Sequence, residues 1–133
     1  MDAQGLKDRT KKFALRVIRL VESLPKNQIV SVVGRQLLRA GTSVGANYRA
    51  ACRAKSAADF VSKMGIVEEE ADETLYWMEL LIEAKIVREK QLESLMNEAS
   101  ELVAIAVASQ NTAKLKTSVR KSAIRTPKSA IES

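Results

Sequence analysis

The sequence contains no histidine and a single cysteine. Without histidine there is no Ser-His-Asp triad, no HExxH zinc site, no ExxH di-iron site and no imidazole base. One cysteine excludes an internal disulfide and a thiolate zinc site. Glycine (5) and proline (2) are scarce in 133 residues, which argues against a many-turned β fold and for a few long helices. Aromatic residues are 4% of the chain and fall mostly in apolar rows, so a stacking platform for single strands is not supported. The longest wholly apolar run, Leu102–Ala108, is far too short to cross a bilayer. The opening stretch Met1–Asp8 has no apolar core of a secretion signal. These absences lead to the expectation of a cytoplasmic, non-catalytic protein with no cofactor, no metal site and no membrane partner.

What is present is a single-domain length with 46% apolar and 29% charged residues, enough for a real core. The net charge of +6 hides a polarity along the chain. Residues 1–55 carry 12 Lys/Arg against 3 Asp/Glu, a net of +9. Residues 56–113 carry 4 against 12, a net of −8, and residues 114–133 carry 6 against 1, a net of +5. Such asymmetry suits a polyanion-binding surface or opposite faces that meet between subunits. It also suits a basic half that pairs with an acidic half inside one bundle.

Four helical segments are legible. The first runs from Leu6 to Leu24, with Phe13, Val17, Leu20 and Leu24 in one stripe, and Pro25-Lys26-Asn27 reads as the turn after it. The second runs from Ile29 or Ser31 to Arg53, with Val33, Leu37, Ala40, Val44, Tyr48 and Ala51 on its core face. Arg35, Arg39, Arg49 and Arg53 fall within about 80° of each other on the opposite side. In the third, Ser56 is an N-cap with Asp59 at the third helical position, a variant of the capping box. Its core row is Phe60, Met64, Val67, Ala71, Leu75 (with Thr74), Met78 and Ile82. A second apolar row, Ile66, Trp77, Leu80 and Ala84, lies on another side. A helix of a four-helix monomer is covered on one side only, so this row is read as an oligomer interface. The fourth segment runs from Lys90 to Ala113 through Leu92, Leu95, Ala99, Leu102 and Ala106. The short connection Ile86–Glu89 favours antiparallel neighbours. Residues 1–113 are therefore read as the bundle, and residues 114–133 as a basic C-terminal tail expected to be disordered.

Three motifs invite a sharper reading. Gly41-Thr42-Ser43-Val44-Gly45 matches the G-x-S-x-G nucleophile elbow, but an elbow needs a strand-turn-helix context and a His base. The same glycines read better as a small-xxx-small spacing that lets two helices approach closely. Glu68, Glu69, Glu70, Asp72 and Glu73 look like a carboxylate cluster, yet consecutive helical residues point around the axis and cannot converge on one metal. A solvated face or inter-subunit ion pairing is the better account. Cys52 lies near the arginine side and reads as a small apolar filler. The strongest functional signal is basic. The helix-two arginines, with Arg9, Lys12, Arg16 and Arg19 on the first helix, offer forked donors suited to phosphate. Contacts to a phosphate backbone release counterions, giving salt-dependent affinity without sequence preference.

The run Gln36–Ala51, continued by Arg53–Phe60, resembles the bacterial four-helix bundle family that includes the 23S rRNA-intervening sequence proteins. The stretches Gly65–Trp77 and Lys11–Arg16 are also similar to it, and the resemblance covers residues 6–113. It implies an antiparallel up-down bundle that assembles as a ring-shaped homo-oligomer, typically a homopentamer. A relative, the accessory variability protein of diversity-generating retroelements, is a basic pentamer that binds nucleic acid and a reverse transcriptase. Many members carry Glu-Gly after the asparagine matching Asn47, where this chain has Arg49-Ala50-Ala51.

The resulting expectation is an oligomeric, all-α protein that binds RNA or DNA through backbone phosphates. Candidate contacts are Lys12, Arg16, Arg19, Arg35, Arg39, Arg49 and Arg53, with Arg120, Lys121 and Arg125 adding non-specific affinity from the tail. The rival expectation is a protein-interaction scaffold whose basic face docks an acidic partner or the neighbouring subunit.

Overall fold

A computed structural model describes the backbone of residues 1–132 and the side chains of residues 1–119. The chain forms four helices: α1 (Ala3–Ser23), α2 (Gln28–Ala51), α3 (Ala57–Glu83) and α4 (Glu89–Glu132). There is no strand among the described residues. Each of the first three helices begins on a side chain that accepts a backbone N–H otherwise left without a partner. Asp2 accepts from Gly5 at 2.7 Å, Asn27 from Val30 at 3.0 Å and Ser56 from Asp59 at 3.0 Å. The Ser56 cap is the one expected, although the Asp59 carboxylate turns back to the N–H of Lys55, not to that of Ser56. The third helix ends with Lys85 in a left-handed conformation (φ 61°). The N–H groups of Lys85 and Ile86 then close on the carbonyls of Ile82 and Leu81 at 2.9 Å each, the Schellman arrangement.

All four helices contribute to one core, with Phe13 and Val17 from α1, Leu37 and Val44 from α2, Met64, Ala71, Met78 and Leu81 from α3, and Leu92, Ala99, Leu102 and Ala106 from α4. The α3 row differs from the sequence reading at three points, the first being Phe60, which is half-buried at the start of the helix. Thr74 and Leu81 are fully buried, whereas Leu75 and Ile82 are half-buried beside them. Thr74 tolerates burial because its hydroxyl donates to the Glu70 carbonyl at 2.7 Å. Thr10 on α1 is buried in the same way, donating to the Leu6 carbonyl at 2.9 Å.

The glycine spacing on α2 sets how closely α1 can approach. A Cβ on Gly41 would lie 2.8 Å from both γ-methyls of Val17. One on Gly45 would lie 3.1 Å from the Thr10 hydroxyl oxygen. The close-packing reading of the G-x-S-x-G match therefore holds, and the motif lies within a helix.

Helix α4 does not stop at Ala113. Composition pointed to disorder from residue 114, but the backbone continues helical from Glu89 to Glu132. No glycine or proline interrupts residues 89–126, so nothing in the local sequence breaks the helix there. Among the described residues no helix is long and apolar enough to cross a membrane, and no group of three metal-ligating side chains converges.

Candidate nucleic-acid interface

The basic residues of α1 and α2 divide into those with acidic partners within the chain and those without. Arg9 is held by α4. Its guanidinium donates to both carboxylate oxygens of Glu98, at 2.7 Å each, and to Glu101 at 2.6 Å. This fork holds the Glu98 carboxyl below its ordinary value, chiefly through the hydrogen bonds from Arg9, and raises the arginine in return. One side of the α1–α4 seam is thus closed by charge. Arg16 sits further along the seam and donates to the Ser94 hydroxyl at 2.9 Å.

Arg39 makes the second clasp, from α2 to α3. It pairs with Glu73 and, at 3.4 Å, with Glu70. Glu73 also accepts the indole N–H of Trp77 at 3.1 Å. Partial burial pushes the Glu70 carboxyl up despite the neighbouring arginine, so desolvation outweighs the pairing there. The α3 acids are accordingly shared out: Glu70 and Glu73 to Arg39, Glu68 to the side-chain amide of Gln110 at 2.8 Å, with Glu69 and Asp72 exposed. Of the readings left open for the charge polarity, pairing of the basic half with the acidic half inside one chain accounts for Arg9 and Arg39.

The remaining candidates are placed otherwise. Lys12, Arg19, Arg35, Arg49 and Arg53 are exposed, and among the described residues none has an acidic partner. Arg53 lies just past the end of α2, its N–H on the Ala50 carbonyl at 3.0 Å. The side chains of Arg120, Lys121 and Arg125 lie outside the described residues. Two lysines that the sequence reading passed over join this surface. Lys7 and Lys11, one turn apart on α1, line a groove of about 390 Å³ between α1 and α2 together with Arg49. Their spacing with Ala14, by four and three, puts them on one side of α1 and is the signal the sequence carries for them.

Cys52 is exposed at the C-cap of α2 and not a buried filler, because the core face of the helix ends at Ala51. The second apolar row of α3 is graded. Ile66 is 39% exposed, Trp77 and Leu80 are half-buried, and Ala84 is exposed at the C-cap of the helix. Tyr76, half exposed, meets Trp77 edge-on with ring centres 5.0 Å apart.

Comparison with known proteins places this arrangement. The model of the 23S rRNA-intervening sequence protein family matches residues 5–108. A solved structure from Bacteroides thetaiotaomicron VPI-5482, described as a protein of unknown function from the S23 ribosomal protein family, is similar with a TM-score of 0.77 and 39% identity. The match covers 84% of this chain and 99% of that one. No curated protein matches the chain.

Proposed function

The chain belongs to the 23S rRNA-intervening sequence protein family, and from that premise we propose that it is a non-catalytic, oligomeric bundle protein that binds the backbone of RNA or DNA through a basic surface. The observation that carries this reading is the set Lys12, Arg19, Arg35, Arg49 and Arg53. They are exposed, without acidic partners among the described residues, and they belong to the half of the chain with a net charge of +9. Exposed arginines that meet no internal acid are free to take phosphate, which their planar fork binds through two hydrogen bonds. Arg16 can add a contact beside Ser94, whereas Arg39 would first have to leave Glu70 and Glu73.

The helices are read as an up-down antiparallel bundle. Rising positions on α2 meet falling positions on α1, with Gly34 near Val21 and Leu24, Gly41 on Val17 and Gly45 on Thr10. Likewise Arg9 meets Glu98 while Arg16 meets Ser94. Self-association belongs to the same proposal. Ile66, Trp77, Leu80 and Ala84 supply the interface of a ring, a homopentamer as the family resemblance implies, in the cytoplasm.

A second reading is a scaffold whose basic face docks an acidic partner or the neighbouring subunit. Anisotropy titrations of the full chain against labelled duplex RNA and duplex DNA of unrelated sequence separate the two. Backbone binding predicts comparable affinity for all the duplexes. No measurable binding to any of them would leave the scaffold.

A further inference from the structure

The α1–α2 seam carries a feature that a merely solvated basic face does not need. Above the point where Gly45 lets the two helices close on Thr10, the surface is concave, about 390 Å³ in volume. Three cations surround it: Lys7 and Lys11 from α1 and Arg49 from α2. None of the three has an acidic partner among the described residues. The one carboxylate on the rim, Asp8, accepts the side-chain amide of Gln4 at 3.0 Å. The floor is small and its hydroxyls are already spoken for, Thr42 donating to the Leu38 carbonyl at 2.8 Å and Thr10 to Leu6.

We infer that this groove is a seat for phosphate groups of a nucleic-acid backbone, with Lys7, Lys11 and Arg49 as its donors. The inference rests on the nucleic-acid reading above and localises it. Two ammonium groups on one side and a forked guanidinium on the other can neutralise adjacent phosphates of one strand. Ala46, short and exposed on the rim, lets the strand come close to the helix surface, where a longer side chain would stand in its way. The contacts are to phosphate alone, so the seat has no base preference.

The test uses the full chain and a short labelled duplex RNA, titrated at several salt concentrations. The variants are the triple substitution Lys7→Ala, Lys11→Ala, Arg49→Ala, and separately Ala46→Glu, which places a carboxylate on the rim. Lys11, Ala46 and Arg49 are exposed and Lys7 is half-buried, and circular dichroism verifies that the helices persist. Arg19→Ala with Arg35→Ala, outside the groove, is the comparison. The seat predicts that the triple variant binds about tenfold more weakly or worse, and that its log-log salt slope flattens by roughly 2–3 units. Ala46→Glu weakens binding comparably, and the outside pair weakens it less. Groove variants that bind as the wild type does, while the outside pair loses affinity, would overturn the seat and leave the basic surface standing. A wild type that binds no duplex would overturn both. Competition by polyglutamate as effective as by unlabelled RNA would assign the groove to an acidic protein and overturn the inference.

Discussion

At the scale of single residues, two glycines on α2 lead to opposite expectations. Alanine is favoured over glycine in a helix by about 1 kcal/mol. At Gly34 the new methyl would meet Val21 and Leu24 at 3.5 and 3.6 Å, ordinary contact distances. Gly34→Ala should therefore stabilise the fold by about 0.5–1 kcal/mol. At Gly41 the methyl would overlap both γ-methyls of a β-branched valine that has no rotamer to escape into. Gly41→Ala should destabilise by about 1–2 kcal/mol, the overpacking strain exceeding the helix gain. Urea denaturation of the two variants measures both, and adding Val17→Ala should recover part of the second loss. Two glutamates diverge in the same way with pH. Glu98 is held below its ordinary value of 4.5 by Arg9, so its contribution is present above that value and lost as pH falls through the depressed one. Glu70 is pushed above 4.5 by burial, so its charge opposes folding once pH rises through that range. Thermal melts should show Glu98→Gln costing about 1 kcal/mol at pH 7, with the cost shrinking as pH falls through the depressed value. Glu70→Gln should be neutral or stabilising at pH 7, with the gain absent in acid.

At the scale of helices, the arginine stripe of α2 proves to be two things. Arg35 and Arg39 are one turn apart on the same side, yet only Arg39 reaches the acids of α3. Arg39→Glu sets a carboxylate against Glu70 and Glu73 and should lower the melting temperature. Arg35→Glu should leave it unchanged and weaken RNA binding several-fold. If instead either change dissociates the oligomer in light scattering at full helicity, the stripe serves a neighbouring subunit. How much of this was legible follows from the same geometry. Apolar periodicity located all four helices, and Ser56 marked the start of α3 correctly, because both signals are local. The caps Asp2 and Asn27 went unread, although each carries a standard capping side chain. Thr74 was underrated against Leu75 because hydrophobicity ranks leucine higher, while the buried threonine is satisfied by the Glu70 carbonyl behind it. The clasps at Arg9 and Arg39 depend on register between helices distant in sequence, which no stripe on one helix specifies. The groove cations Lys7 and Lys11 became meaningful only when α2 brought Arg49 opposite them.

At the scale of the whole molecule, the chain satisfies part of its charge polarity internally and leaves a basic remainder on the α1 and α2 surface. The apolar remainder lies on α3, where Ile66 and Tyr76 are exposed beside Trp77. Ile66→Glu should reduce the mass in light scattering towards that of one chain while the circular dichroism spectrum stays helical. An unchanged mass would move the interface off this row. The central claim, that exposed cations of α1 and α2 take phosphate, is tested most directly by the salt dependence of binding. The measurement compares the full chain with its Lys12→Ala, Arg19→Ala, Arg35→Ala, Arg53→Ala variant on one duplex RNA. Removing one cation that neutralises a phosphate should reduce the log-log slope by about 0.9, so a flattening of roughly 2–4 units with weaker binding is the predicted result. An unchanged slope and affinity would contradict the account for these four residues and leave the binding to the groove cations Lys7, Lys11 and Arg49 or to cations outside this surface.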